Sequence, residues 1–187
     1  MGLDLKNQSR RGWSLFWDAL LSLQKIIVIV CSIITVIGIS SAAFLRYVFR
    51  TDLYGYEEII VIFAFWLYFI GGSYGSYERS HITAELVSVY VKNEKLKTFM
   101  IWVSSGITVL LSLLFTYWAT DIITWGLASG AKSPVWGIPL VIPQSAILAG
   151  LVLMSFYFIV HWLDDTKRLL QQAKVKKTTR EGEGDSQ

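Results

Sequence analysis

Charge is scarce in this sequence. Only 17% of its 187 residues are Asp, Glu, Lys or Arg, against roughly 25% in an ordinary soluble domain, while 53% are apolar. Such a composition excludes a conventional water-soluble fold. Proline is scarce too, at 3 residues, whereas tryptophan is abundant at 8; together these suit long helices bounded by interfacial aromatics. The single cysteine, Cys31, lies within an apolar run. A disulfide framework and a cysteine-rich metal site are therefore both excluded, and a small buried hydrophobe is its simplest role. There is no phosphate-binding loop, no HExxH and no cluster of metal ligands. Nothing points to an enzyme.

What is present is a set of four long apolar runs, at about residues 26–45, 59–77, 99–119 and 140–160. A 20-residue helix is about 30 Å long, which matches the hydrocarbon layer of a membrane. Only helices satisfy their own backbone groups over such a length in lipid. Pro143 falls in the first turn of the fourth run, where its missing N–H costs nothing. The first run follows a polar lead of 25 residues and is too long for a signal-peptide core, so it is expected to remain in the mature chain. The predicted class is an all-α integral membrane protein. Residues 1–25 form a cytoplasmic or interfacial lead, residues 26–162 a four-span domain, and residues 163–187 a charged cytoplasmic tail.

Orientation follows from the basic residues. Of 17, four precede the first run, four follow the second and six lie in the tail, so fourteen share one side of a four-span arrangement. Only Arg46, Arg50 and Lys132 lie opposite. The positive-inside rule places both termini in the cytoplasm, and the composition fits a bacterial inner membrane.

The flanks carry amphipathic patterns. Trp13, Phe16, Trp17 and Leu20 recur at helical spacing beside basic residues, which reads as a helix lying flat in the inner headgroup layer. The alternative is an upstream extension of the first span. Residues 81–96 carry a second such pattern, with Ile82, Leu86, Val89 and Tyr90 on one face. The outer stretch 129–139 holds Gly130, Pro134, Gly137 and Pro139, which is turn chemistry, bracketed by Trp125 and Trp136. The tail 174–187 is charged and nearly free of apolar residues, so disorder is expected there. Its basic half suits anionic phospholipid.

None of the four cores contains Asp, Glu, Lys, Arg or His. Intramembrane charges usually mark ion or substrate paths, and no internal repeat with broken helices is visible either. The chain by itself offers no route for an ion. Asp121 comes nearest, at the outer end of the third run between Trp118 and Trp125, where headgroup depth is expected. His81 and His161 fall near one face, but neither lies in a core, which argues against a bridging haem.

Two polar clusters remain. On the outer side Arg46, Tyr47, Arg50, Asp52, Glu57 and Glu58 crowd the first turn; they could pair with each other, with headgroups or with a partner. On the inner side Glu78, Arg79, His81 and Glu85 follow the second run, where His81 could serve as a local hydrogen-bonder or as a pH-sensitive group. Small residues form strips that allow close helix approach: Gly71 and Gly75 as a GxxxG pair, and Thr35, Gly38 and Ala42 along the first span. Packing within the chain is the expected use.

The order Arg46-Tyr47-Val48-Phe49, Leu53, Glu57-Glu58, an apolar span ending at Gly71 to Gly75, then Arg79, His81 and Glu85-Leu86 resembles the small membrane (DctQ-like) subunit of tripartite ATP-independent periplasmic (TRAP) transporters. The resemblance covers about residues 20–165. It departs at Gly55, where the family often has Trp, and at Glu85, where it usually has Asp. The resemblance implies a non-conducting four-helix scaffold joined to a large multi-span permease that moves substrate by an elevator motion. It also implies a periplasmic binding protein that delivers organic acids such as dicarboxylates or sialic acids, with sodium-driven symport. The sodium would bind the large subunit and this chain would need no cofactor. Candidate partner contacts are Arg46, Tyr47, Arg50, Glu57, Glu58, Arg79, His81 and Glu85; no nucleic-acid partner is implied. A membrane anchor for a redox enzyme and a small self-sufficient exporter are the alternatives that the residues leave open.

Overall fold

The computed structural model describes the backbone of residues 2–51, 54–78 and 94–184, and side chains within 17–51, 54–78, 96–167 and 169–170. Four α-helices account for nearly all of it: α1, Gly2–Phe44; α2, Tyr56–Glu78; α3, Glu94–Ser129; and α4, Val141–Gly184. A one-turn π-helix, Leu45–Phe49, extends α1. Each α-helix contains a segment long and apolar enough to cross a membrane: Trp17–Phe49, Tyr56–Glu78, Leu96–Ser129 and Val141–Lys167. The shortest, 23 residues, is about 35 Å long. These segments contain the four expected spans apart from Leu140, which precedes α4.

Helix α1 shows why lipid is the surrounding solvent. Trp17, Leu20, Gln24, Cys31, Thr35, Gly38, Ala42 and Leu45 form one shielded stripe at steps of three, four or seven residues. Leu23, Ile26, Ile29, Val30, Ile33, Val36 and Ile37 point outward. Small and polar groups are inside and large aliphatics outside, the reverse of a soluble helix. The stripe keeps its phase through Trp17 and Leu20, and the backbone is helical without interruption from Gly2. Residues 13–24, expected either as a flat-lying helix or as an upstream extension of the span, are thus continuous with the span in one helix. No Gly or Pro lies between Trp13 and Ile37 to interrupt it.

A second difference lies in the tail. Helix α4 continues to Gly184, where disorder was expected from residue 174. Low apolar content argues against an independent core, but a segment continuing an existing helix has no nucleation cost, and its Gln, Ala and Lys residues are good helix formers. The expected amphipathic stretch 81–96 lies outside the described residues except for 94–96, which already belong to α3.

The chain forms two compact units, Met1–Tyr74 with Trp118–Gly150, and Gly75–Tyr117 with Leu151–Gln187. In the first, buried Gly38 faces Tyr56, whose hydroxyl would lie 2.5 Å from an added Cβ. Gly150 packs directly on Phe69: an added Cβ would lie 2.6 Å from its Cβ and 2.7 Å from its carbonyl oxygen. Only glycine permits α2 and α4 to approach so closely. The expected GxxxG pair does not play this part. A Cβ at Gly71 would make ordinary contact with Val28 at 3.8 Å, and one at Gly75 would meet nothing within 4 Å among the described residues. A small-residue spacing shows where close approach is permitted, not where another helix lies.

The second unit has a polar interior. Thr116 and Ser155 share a hydroxyl hydrogen bond at 3.0 Å. One end is closed by Ser105, which donates to the buried carboxylate of Asp165 at 2.8 Å. Beside it the Trp102 indole donates to Thr166 at 2.9 Å and stacks on Trp162. Tyr77 rests on Tyr157, which is almost fully buried.

Candidate partner-docking site at the outer loops

The outer site starts from Gly55. Its φ of +83° is a region that L side chains rarely adopt, and it turns the chain into the first turn of α2, where Glu57 and Glu58 follow. The Glu58 N–H donates to the Gly55 carbonyl at 3.2 Å. A Cβ at Gly55 would also collide with Trp136 and Val135, at 2.5 Å each. A side chain here would thus be unfavourable in both backbone and packing.

Facing α2 is the loop before α4. The predicted turn chemistry produces a small antiparallel hairpin: Ser133 N–H donates to the Ile138 carbonyl at 2.8 Å and Leu140 N–H to the Ala131 carbonyl at 3.0 Å. Its tip closes over Glu58. The Ser133 hydroxyl donates to Glu58 Oε2 at 2.5 Å, the Val135 N–H to Oε1 at 2.8 Å and the Trp136 N–H to Oε2 at 3.0 Å. The Trp136 indole N–H donates to the Gly55 carbonyl at 3.0 Å, and the Ile138 N–H donates to Ser133 Oγ at 3.0 Å, which orients that hydroxyl. An ionised carboxylate only accepts, so one side chain collects three loop donors. It acts as a clasp between two loops about 75 residues apart in sequence.

Beside the clasp is a cavity of about 570 Å³, lined by Glu57 and Glu58 and floored by apolar groups such as Val61, Ile62, Leu140 and Pro143. The hydroxyls that line it belong to Tyr54 and Ser133, and the second of these is already bonded to Glu58.

The sequence-selected residues divide into three groups. Glu58 is tied into the loop. Arg46 and Tyr47, both in the π-helix, together with Arg50 and Glu57, are exposed; Arg50 ends the π-helix in a left-handed conformation with φ 51°. Among the described residues neither arginine forms an ion pair with Glu58, whose partners are neutral donors. Arg79, His81 and Glu85 lie outside the described residues, as does Asp52.

Sequence reasoning missed Ser133 and Val135, and it assigned Trp136 only to an aromatic belt. No periodicity links positions this far apart. It also missed the Asp165 cluster, because a carboxylate at the end of an apolar run looks like the first charge of a tail. The i, i+3 pair Trp102 and Ser105, polar groups on one helix face, was the available signal.

A family model described as "Tripartite ATP-independent periplasmic transporters, DctQ component" matches residues 35–168. The match runs from the last quarter of α1 to just past the fourth apolar segment and includes the whole candidate site. No curated protein matches the chain. With the match covering 134 of 187 residues and four helices long and apolar enough to span a membrane, the chain belongs to the DctQ component family of tripartite ATP-independent periplasmic transporters.

Proposed function

We propose that this chain is the fixed, non-conducting subunit of a sodium-driven transporter that takes up an organic acid delivered by a periplasmic binding protein. Membership in a transporter-component family, whose members act with a large permease and a binding protein, favours this over a redox anchor or a solitary exporter. The observation that carries the docking role is the clasped outer rim. Glu58 holds the hairpin against the start of α2, while Arg46, Arg50 and Glu57 stay exposed around it. Fixed charges on a braced surface steer an encounter and set its register, more than they add affinity. Sodium and substrate are assigned to the large subunit, since residues 26–45, 59–77, 99–119 and 140–160 of this chain hold no Asp, Glu, Lys, Arg or His. With the basic residues inside, this rim faces the periplasm. Reconstitution tests the reading: uptake should require the large permease and the binding protein together with this chain. Robust uptake by this chain alone would refute it.

A further inference from the structure

Helix α3 runs well past the point at which its apolar run was expected to end, and this changes the surroundings of Asp121. Eight residues separate Asp121 from the end of α3 at Ser129, about 12 Å along the axis. Register with α4 shows what lies beside it. Gly126 faces Gln144 and Val141, so five residues back along α3 and five forward along the antiparallel α4 bring Asp121 level with residues 146–149. That stretch is Ala-Ile-Leu-Ala. The next residue, Gly150, abuts Phe69 of α2, thirteen residues or about 20 Å from the start of that helix. Asp121 therefore lies more than two helical turns below the outer end of α3, level with an apolar stretch of α4.

Its side chain is exposed, as are Tyr117, Trp118, Thr124 and Trp125 on the same face. Among the described residues no donor reaches the carboxylate. The Thr124 hydroxyl is committed to the Asp121 backbone carbonyl at 2.9 Å. A carboxylate pointing into hydrocarbon is strongly unfavourable, and such groups face a protein partner or a water-filled cavity. The face also differs from the aliphatic outer surface of α1, where Ile29, Ile33 and Val36 are exposed.

We propose that the Asp121 face of α3 is the contact surface for a membrane helix of the large permease partner, and that a cationic side chain of that helix pairs with the Asp121 carboxylate. This rests on the reading of the chain as a transporter subunit. A second copy of the chain does not fit the surface. Residues 107–131 contain no Lys or Arg, so a two-fold contact through this face would set carboxylate against carboxylate. A donor from a different chain satisfies the charge.

The test is co-purification of the large permease with this chain from membranes. Recovery with the unaltered chain comes first; its failure would count against the transporter-subunit reading itself. Given that recovery, Asp121→Lys is expected to lower the recovered permease about tenfold or more, as for one partner of a desolvated charge pair, with Asp121→Asn causing a smaller loss. The amount of this chain in the membrane should be unchanged. A photo-crosslinking residue in place of Tyr117, which leaves the carboxylate intact, should capture the permease even if Asp121→Lys impairs insertion. Undiminished recovery with Asp121→Lys would overturn the proposal, as would crosslinking only between two copies of this chain. So would labelling of Asp121→Cys by a membrane-impermeant maleimide in the chain expressed alone, which would place the group at headgroup depth.

Discussion

Replacing Gly150 by alanine tests the packing of α2 on α4 most directly. The added Cβ would lie 2.6 Å from Phe69 Cβ, 2.7 Å from its carbonyl oxygen and 2.8 Å from its carbonyl carbon. Ordinary contact begins near 3.4 Å, so the helices must separate by about 0.7 Å, the difference between 3.4 and 2.7 Å. Two of the three atoms are backbone, and no rotamer change relieves them. Overpacking of this kind costs about 1–3 kcal/mol. Removing a glycine from a helix interior returns about 0.5–1 kcal/mol, which leaves a net loss of roughly 0–2.5 kcal/mol. Gly75→Ala is the internal control: it meets nothing within 4 Å among the described residues, so only the propensity gain of up to about 1 kcal/mol remains. Thermal unfolding of the purified chain in detergent, followed by tryptophan fluorescence, should lower the midpoint for Gly150→Ala and leave it unchanged or raised for Gly75→Ala. The same change at both sites, or the reverse order, would refute the assigned contact.

Further expectations concern the two polar clusters and the topology. Glu58→Ala should release the hairpin and increase proteolytic cutting between residues 131 and 139, whereas Glu57→Ala should not; the two alike would retire the clasp. Because neutral donors hold Glu58, exchanging Arg46 and Glu58 should not restore uptake, while Glu57→Lys should weaken coupling to the binding protein and leave insertion intact. Ser105→Ala strips a hydroxyl donor from a buried carboxylate and should cost about 1–3 kcal/mol by the same unfolding measurement. Ser104→Ala, on the exposed side of that helix, should have little effect. Reporter fusions should show cytoplasmic activity at Lys177 and periplasmic activity at Lys132, and the opposite pattern would invert the assigned sides.

The spans were legible in the sequence because lipid imposes one rule on every residue of a crossing segment: keep charge out and satisfy the backbone locally. That rule acts along the chain, so a linear reading of residues 26–45, 59–77, 99–119 and 140–160 recovers the four helices. The glutamates at the start of α2 stood out for the same reason, as charges beside an apolar run. What the linear pattern could not determine was where each group's partner lies. Glu58 has two arginines near it in sequence, yet it binds a serine hydroxyl and two backbone N–H groups about 75 residues away, because the hairpin's own geometry delivers those donors. Gly71 and Gly75 have the small-residue spacing, but so do Ala146 and Gly150, and it is Gly150 that takes the close contact. Asp165 looks like a tail charge until α3 brings Ser105 against it. Tertiary structure decided these because close packing and hydrogen bonding depend on which surfaces meet, and one-dimensional periodicity records only which surfaces each helix offers.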